Sequence, residues 1–232
     1  MTENTPALVF DRVTVRYPGV QKPALENLSL KIARGEKAAL MGLNGSGKTT
    51  LLMAAAGLLV FEGSIEVDGV ALTPKSAGEV RERIGFLFAH PADQLLFPKV
   101  VDDVGFSLVR RRLSKEDIKS GALKALQNFG AEDLASRSPF ELSHGQKARV
   151  ALAGATVTAP PVLLLDEPSA GLDPPGRRQL IESLKACPAA FLAATHNLDF
   201  ARRACGRCVL LEKGRLVNDD MNLGELAKRW EE

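Results

Sequence analysis

Gly42-Leu43-Asn44-Gly45-Ser46-Gly47-Lys48-Thr49 is the segment that most restricts what this chain can fold into. It fits G-x-x-x-x-G-K-[ST], in which a glycine-rich turn between a strand and a helix aims backbone N–H groups at phosphate oxygens. Lys37 to Met41 reads as the short buried strand before it, and Thr49 to Gly57 as the helix whose positive N-terminal end faces the phosphates. Nucleotide binding is thereby assigned to Gly42, Leu43, Asn44, Gly45, Ser46, Gly47, Lys48, Thr49 and Thr50. The glycines leave room for the backbone to approach, Lys48 is the cation for the β- and γ-phosphates, and Thr49 is a hydroxyl ligand for Mg2+. On its own the motif says nucleoside triphosphate.

Leu142-Ser143-His144-Gly145-Gln146 follows, shortly before Leu163-Leu164-Leu165-Asp166-Glu167, an apolar strand that ends in two carboxylates. Adjacent carboxylates in that position are costly to bury without a metal or hydrogen-bond partners, so they point to function. This order of motifs resembles the ATP-binding cassette (ABC) family over nearly the whole chain. The resemblance implies ATP and Mg2+ as ligands, with Asp166 holding the metal through water and Glu167 polarising the attacking water. Thr195-His196, at the end of a further apolar strand, looks like the family's switch histidine, which makes Lys48, Glu167 and His196 the catalytic candidates. Tyr17, the only tyrosine, stands where the family has a ring that stacks on adenine, and no Asn-Lys-x-Asp guanine-recognition segment occurs.

The same resemblance implies that Ser143, His144, Gly145 and Gln146 cap the γ-phosphate of another subunit. Asp173, in Ser169-Ala170-Gly171-Leu172-Asp173, is similar to an aspartate that crosses to the partner. Each site then takes two chains. His144 departs from the commoner glycine and reads either as a plain surface residue of the loop or as a direct participant. Phe88-Ala89-His90-Pro91 departs further, because the family has glutamine where Ala89 stands. Alanine cannot ligate a metal or hydrogen-bond water through its side chain, so either His90 or Gln94 substitutes or the loop only transmits motion.

At 232 residues the chain is long enough for one cassette with a subdomain built into it. The fold class expected is α/β, a P-loop NTPase three-layer core with a central parallel sheet, an antiparallel β subdomain and an inserted helical subdomain. One domain spans 1–232, with its core at about 1–88 and 160–232 and the helical subdomain at about 89–159. Leu8 to Tyr17 and Leu28 to Ile32 alternate as half-exposed antiparallel strands, and Ser64 to Val67 turns at Asp68-Gly69. Ile84 to Phe88, Val162 to Leu165 and Ala190 to Thr195 read as core strands, and Cys208 to Glu212 with Arg215 to Val217 as a closing pair. A helix starts at Ser114, with Asp117 as a capping box, carries Ile118, Ala122, Ala125, Leu126 and Phe129 on one stripe, and stops at Gly130. Leu223, Leu226 and Trp230 suggest a final amphipathic helix.

A formal charge of +2 lacks the basic stripe of a nucleic-acid binder, and Arg110-Arg111-Arg112 reads as a solvated helix end. No nucleic-acid partner is expected. Met1-Thr2-Glu3-Asn4 lacks the charged and apolar regions of a signal peptide, and the longest apolar run, Leu51 to Phe61, falls short of the ~20 residues that span a bilayer. Cys187, Cys205 and Cys208 are odd in number, and Cys205-Gly206-Arg207-Cys208 reads as packing at a helix-to-strand junction rather than a zinc site.

Pro91-Ala92-Asp93-Gln94-Leu95-Leu96-Phe97-Pro98 and Val101-Asp102-Asp103-Val104-Gly105-Phe106 resemble the ATPases of energy-coupling-factor importers for cobalt or nickel ions and for vitamins. That resemblance implies a peripheral subunit on the cytoplasmic face of the membrane, powering uptake of cobalt or nickel, with biotin or another vitamin as the alternative. Its partners are a second ABC ATPase subunit (homo- or heterodimer), an integral membrane coupling subunit whose helices lodge near residues 89 to 106, and a substrate-binding membrane subunit. A soluble ABC ATPase acting on DNA or ribosomes is the competing class, and a non-hydrolysing regulatory subunit a third reading.

Overall fold

Burial follows the alternation of the first two strands. Leu8–Val15 (β1) buries Leu8, Phe10, Val13 and Val15, and Leu25–Ile32 (β2) buries Leu25, Leu28, Leu30 and Ile32. The computed structural model describes residues 5–231, with side chains described through Lys228. The readings placed on Met1 to Asn4 and on the side chain of Trp230 lie outside the described residues. β1 ends at Val15, two residues before the expected Tyr17, and β2 begins at Leu25, three before the expected Leu28. Lys37–Met41 (β3) is followed by the phosphate loop and then by Lys48–Ala55 (α1). Glu62–Val67 (β4) and Val70–Ala71 (β5) are joined by Asp68 and Gly69, both at positive φ, as a tight hairpin turn requires. Antiparallel pairing in the order β2-β1-β4-β5 makes the front sheet.

Ala77–Glu82 (α2) leads into Ile84–Leu87 (β6), and Val100–Val109 (α3), Lys115–Asn128 (α4) and His144–Thr156 (α5) follow. The remaining elements alternate: Val162–Asp166 (β7), Pro174–Ala186 (α6), Ala190–Thr195 (β8), Leu198–Ala204 (α7), Arg207–Glu212 (β9), Arg215–Asn218 (β10) and Leu223–Glu231 (α8). The second sheet has the order β10-β9-β3-β8-β7-β6 and is parallel except for its β10 edge. Its central strands are apolar except at their ends, at Lys37, Asp166 and Thr195, because both faces are covered. Leu164, Ala190 and Leu192 face α1 and the front sheet, whereas Leu163, Leu165, Phe191 and Ala193 face the helices on the other side. The three layers expected of an α/β nucleotide-binding core are therefore present.

The helices after β6 are fixed by caps and by close packing. Ser114 accepts a hydrogen bond from the Asp117 N–H at 3.1 Å, but the Asp117 carboxylate accepts from the Ser114 hydroxyl instead of reaching back to its N–H, so the expected capping box is one-sided. The complete box lies at the start of α5, between Ser143 and Gln146. α5 lies so close to β6 that a Cβ at Gly85 would stand 2.1 Å from the Ala155 carbonyl oxygen. One apolar cluster runs from α3, α4 and α5 through β7 and β8 to α6, so the helical segment shares its core with the sheet.

Leu226 of α8 is fully buried against Met41, Cys208 and Leu210. Cys205 and Cys208 pack at the junction of α7 and β9, where burial raises both thiol pKa values, that of Cys208 to about 11. Arg110, Arg111 and Arg112 are exposed, and the Arg111 guanidinium donates to the Thr158 carbonyl at 2.7 Å. None of the described helices is long and apolar enough to cross a membrane. The Gly85 contact is with backbone and cannot be relieved by a rotamer change, so Gly85→Val is expected to destabilise the chain by about 2 kcal/mol or more. Urea unfolding checks this, and an unchanged midpoint contradicts the packing.

Candidate functional site

Parallel register decides which chemistry meets which. Met41 pairs with Thr195 and Asp166 with Ala194, so β3, β8 and β7 release their next residues at the same end of the sheet. Those residues are the phosphate loop, His196 and Glu167. The loop turns through Gly47, at φ 107, which caps α1 and leaves no room for a side chain: a Cβ there would lie 2.9 Å from the Ala24 carbonyl. The first N–H groups of α1 have no intrahelical partners and carry the positive end of the helix dipole.

Lys48 is almost buried, and its Nζ donates to the carbonyls of Gly42 (2.8 Å) and Leu43 (3.1 Å). Burial lowers its pKa, opposed by the charges of Glu167 and Asp166. Leu43, Asn44, Gly45 and Thr49 are exposed. Ser46 is buried with its hydroxyl against Gly42, its N–H donating to the Leu43 carbonyl at 3.1 Å and its carbonyl accepting from the Gly214 N–H at 2.9 Å. Thr50 is also buried, and its Oγ1 lies 3.2 Å from the hydroxyl of the half-exposed Tyr17. Tyr17 is thus tied to the first turn of α1.

The Thr49 hydroxyl donates to the Asp166 carboxylate at 2.7 Å, and burial raises the Asp166 pKa. A hydroxyl and a carboxylate side by side are the oxygen donors that suit a hard divalent cation such as Mg2+. Glu167 adopts φ 47, a conformation rare for residues with a side chain and associated with functional sites. Its N–H is held by the Ala194 carbonyl at 2.8 Å. Thr195 Oγ1 donates to one carboxylate oxygen at 3.0 Å, and His196 Nδ1 lies 2.7 Å from the other. Thr195 was legible as the strand end but not as a site residue. The available signal was a hydroxyl in an otherwise apolar buried strand, which must find a partner.

Beside β7, the loop after β6 places Ala89 at the position lacking a glutamine. The side-chain carbonyl of Gln94 accepts from the Phe88 N–H at 3.0 Å and so braces the loop itself. His90, next to Ala89 in the loop, is exposed. Asp103 accepts from the N–H groups of Leu96 (2.7 Å) and Phe97 (3.1 Å), an anchor not read from the sequence.

Ser143, His144, Gly145 and Gln146 share a recess with Gly171, Leu172 and Asp173, and no phosphate-loop residue lines it. Ser143 accepts from the Gln146 N–H, and the Gln146 side chain accepts from the Ser143 N–H at 2.9 Å. Asp173 caps α6 by accepting from the Gly176 N–H at 2.8 Å. The structure therefore groups Lys48, Thr49, Asp166, Glu167 and His196 in one place, and Ser143 to Gln146 with Asp173 in another.

Burial of the Asp166 carboxylate costs folding stability at neutral pH, because its raised pKa means that the charged form is disfavoured in the folded chain. The cost disappears as pH falls through that raised pKa. Asp166→Asn is expected to raise Tm of the nucleotide-free protein at pH 7 and to lose the advantage on acidification. A lower Tm at pH 7 contradicts this reading.

Comparison with known proteins bears on these two groups. The family described as ABC transporter matches residues 25–170. The energy-coupling factor transporter ATP-binding protein EcfA1 of Levilactobacillus brevis is 39% identical over 224 residues, covering 94% of this chain and 79% of that protein. EcfA2 of Acetivibrio thermocellus is 38% identical over 202 residues, with 84% and 72% covered. Among solved structures, cbiO1 from Clostridium perfringens, described as part of the ABC transporter complex cbiONQ, superposes with a TM-score of 0.84 at 33% identity over 97% of this chain and 92% of that one. The ATP-binding cassette MJ0796, solved as a dimer in a post-hydrolysis state with ADP and Pi, also gives 0.84, at 28% identity over 91% and 97%. The family match, the identity to these relatives and the shared fold agree: the chain belongs to the ABC transporter family and is an ATPase.

Proposed function

We propose that this ATPase hydrolyses Mg-ATP at a site made by two chains and thereby powers an energy-coupling-factor type importer. The observation that carries the hydrolytic part is the triple hold on Glu167, by the Ala194 carbonyl, Thr195 and His196, at the edge where Lys48 and Asp166 meet. Phosphoryl transfer to water needs positioning and charge neutralisation more than covalent chemistry. The phosphate loop from Gly42 to Thr49 and the N-terminus of α1 bind the phosphates, Lys48 neutralises the β- and γ-phosphates, and Tyr17 stacks on the adenine. Thr49 and Asp166 hold Mg2+, which when bound neutralises charge on the phosphates. Glu167 orients the water that attacks the γ-phosphorus as the bond to the ADP oxygen breaks, and it accepts the water's proton. His196 keeps Glu167 in place and reaches the γ-phosphate.

Ser143, Gly145 and Asp173 complete the site of the neighbouring cassette, and residues 89–159 act as the helical subdomain that delivers them. Of the two substitutes for the missing glutamine we favour His90, since Gln94 is engaged by Phe88. Leu96 and Phe106 are exposed apolar side chains in the loop and helix after β6, which suits docking of membrane-subunit helices there. Likeness to EcfA1, EcfA2 and cbiO1 supports the importer type and a location on the cytoplasmic face of the membrane. A separate membrane subunit chooses the substrate, for which cobalt or nickel is our assignment and biotin or another vitamin the alternative.

Glu167→Gln is expected to bind ATP while turnover falls by about two to four orders of magnitude, and turnover close to wild type refutes the role. Isolation from membranes is expected to recover a membrane coupling subunit with the chain. ATPase activity stimulated by DNA or ribosomes, with no membrane partner, contradicts the importer reading.

A further inference from the structure

Ser143 and Gln146 spend their side chains on each other's backbone N–H groups, which leaves the side chain of His144, at the first position of α5, to make other contacts. It does not stand alone on the surface. A Cβ built at Gly171 would meet His144 Cδ2 at 2.3 Å and Nε2 at 3.0 Å, so the imidazole lies directly over the Gly171 backbone. Beside it, Gly145 faces Leu172, whose Cδ2 would be 3.1 Å from a Cβ at Gly145. Leu172 is 8% exposed and belongs to the helical core cluster. The covered segment is fixed at both ends. Upstream, the Ala170 N–H donates to the Glu167 carbonyl at 3.0 Å; downstream, Asp173 caps α6. Gly171, at φ 67, is the residue in between without a side chain to anchor it, and His144 is what rests on it.

We infer that His144 is a positioning residue: its ring clamps Gly171 and holds the segment carrying Asp173 against the start of α5. The signature and the turn descending from Glu167 then move together within one chain. The inference rests on the two-chain site proposed above, because only there does the placement of Asp173 and Ser143 affect hydrolysis. A glycine at position 144 leaves the segment unclamped. A side chain at position 171 meets the imidazole and must displace it from the Gly171 backbone.

The test is a double-mutant cycle in the full-length chain, reading kcat and KM for Mg-ATP hydrolysis together with Tm. His144→Gly is expected to lower kcat and to change KM by less than about twofold, since neither residue touches the phosphate loop of its own chain. Gly171→Ala is expected to lower kcat about tenfold. The backbone strain of alanine at positive φ is the same with and without the imidazole and cancels in the cycle, leaving the clash as the coupling. The double variant is therefore expected to lie below His144→Gly only by the strain of alanine at positive φ, less than the full loss in Gly171→Ala, a coupling within the range found for residues in contact. Effects on kcat that multiply to within about twofold overturn the proposal. Coupling in Tm without coupling in kcat also overturns it, since His144 is then packing alone. Failure of the two-chain reading shows separately, as Glu167→Gln chains that stay monomeric in Mg-ATP whatever the cycle returns.

Discussion

The structure depends on the parallel alignment of three adjacent strand ends. β3, β8 and β7 bury their side chains on both faces, and a one-residue slip of any of them would exchange the side chains it gives to the apolar clusters on its two sides. Because Met41 pairs with Thr195 and Asp166 with Ala194, the Asp166 carboxylate meets the Thr49 hydroxyl and the Glu167 carboxylate meets Thr195 and His196 at one edge, with Lys48 near enough to feel both negative charges. Few other arrangements hold so many charges at the edge of a dry core. The apolar interior supplies the rigidity, and the strand ends supply the chemistry.

Several departures from local rules gather at this edge. Asp166 is buried with a raised pKa, Lys48 is buried with a lowered one, and Glu167 sits in the left-handed region. Each departure costs stability in the folded chain, and the two buried charges are of the signs that a metal and phosphates would compensate. Such costs gathered in one place are characteristic of sites tuned for binding and reaction. Four helices have side-chain caps: Ser114, Ser143, Asp173 and Asn197 accept from backbone N–H groups at the starts of α4, α5, α6 and α7.

Much of this was legible in the sequence because it is local. The phosphate loop, the apolar strands and the Asp166–Glu167 pair are each written within a few residues. α6 and α7 were not singled out, although Asp173-Pro174 and Asn197 are ordinary helix-start signals. Ser143-His144-Gly145-Gln146 was read for its likeness to a family motif, and the capping box it also spells went unnoticed. What remained hidden depends on tertiary placement. Nothing in Phe88-Ala89-His90-Pro91 says that Gln94 turns back to Phe88, and nothing near His144 says that Gly171 lies beneath it.

Separation of the two residue groups within one chain gives the account its shape. Lys48 and Glu167 lie together, whereas Ser143 and Asp173 line a recess to which no phosphate-loop residue contributes. Sedimentation of Glu167→Gln with saturating Mg-ATP measures the consequence directly. Dimers that form with Mg-ATP, dissociate on its removal and fail to form when Ser143 is replaced by a bulky residue are expected. Chains that remain monomeric at saturation, even with the membrane partner present, contradict the two-chain site.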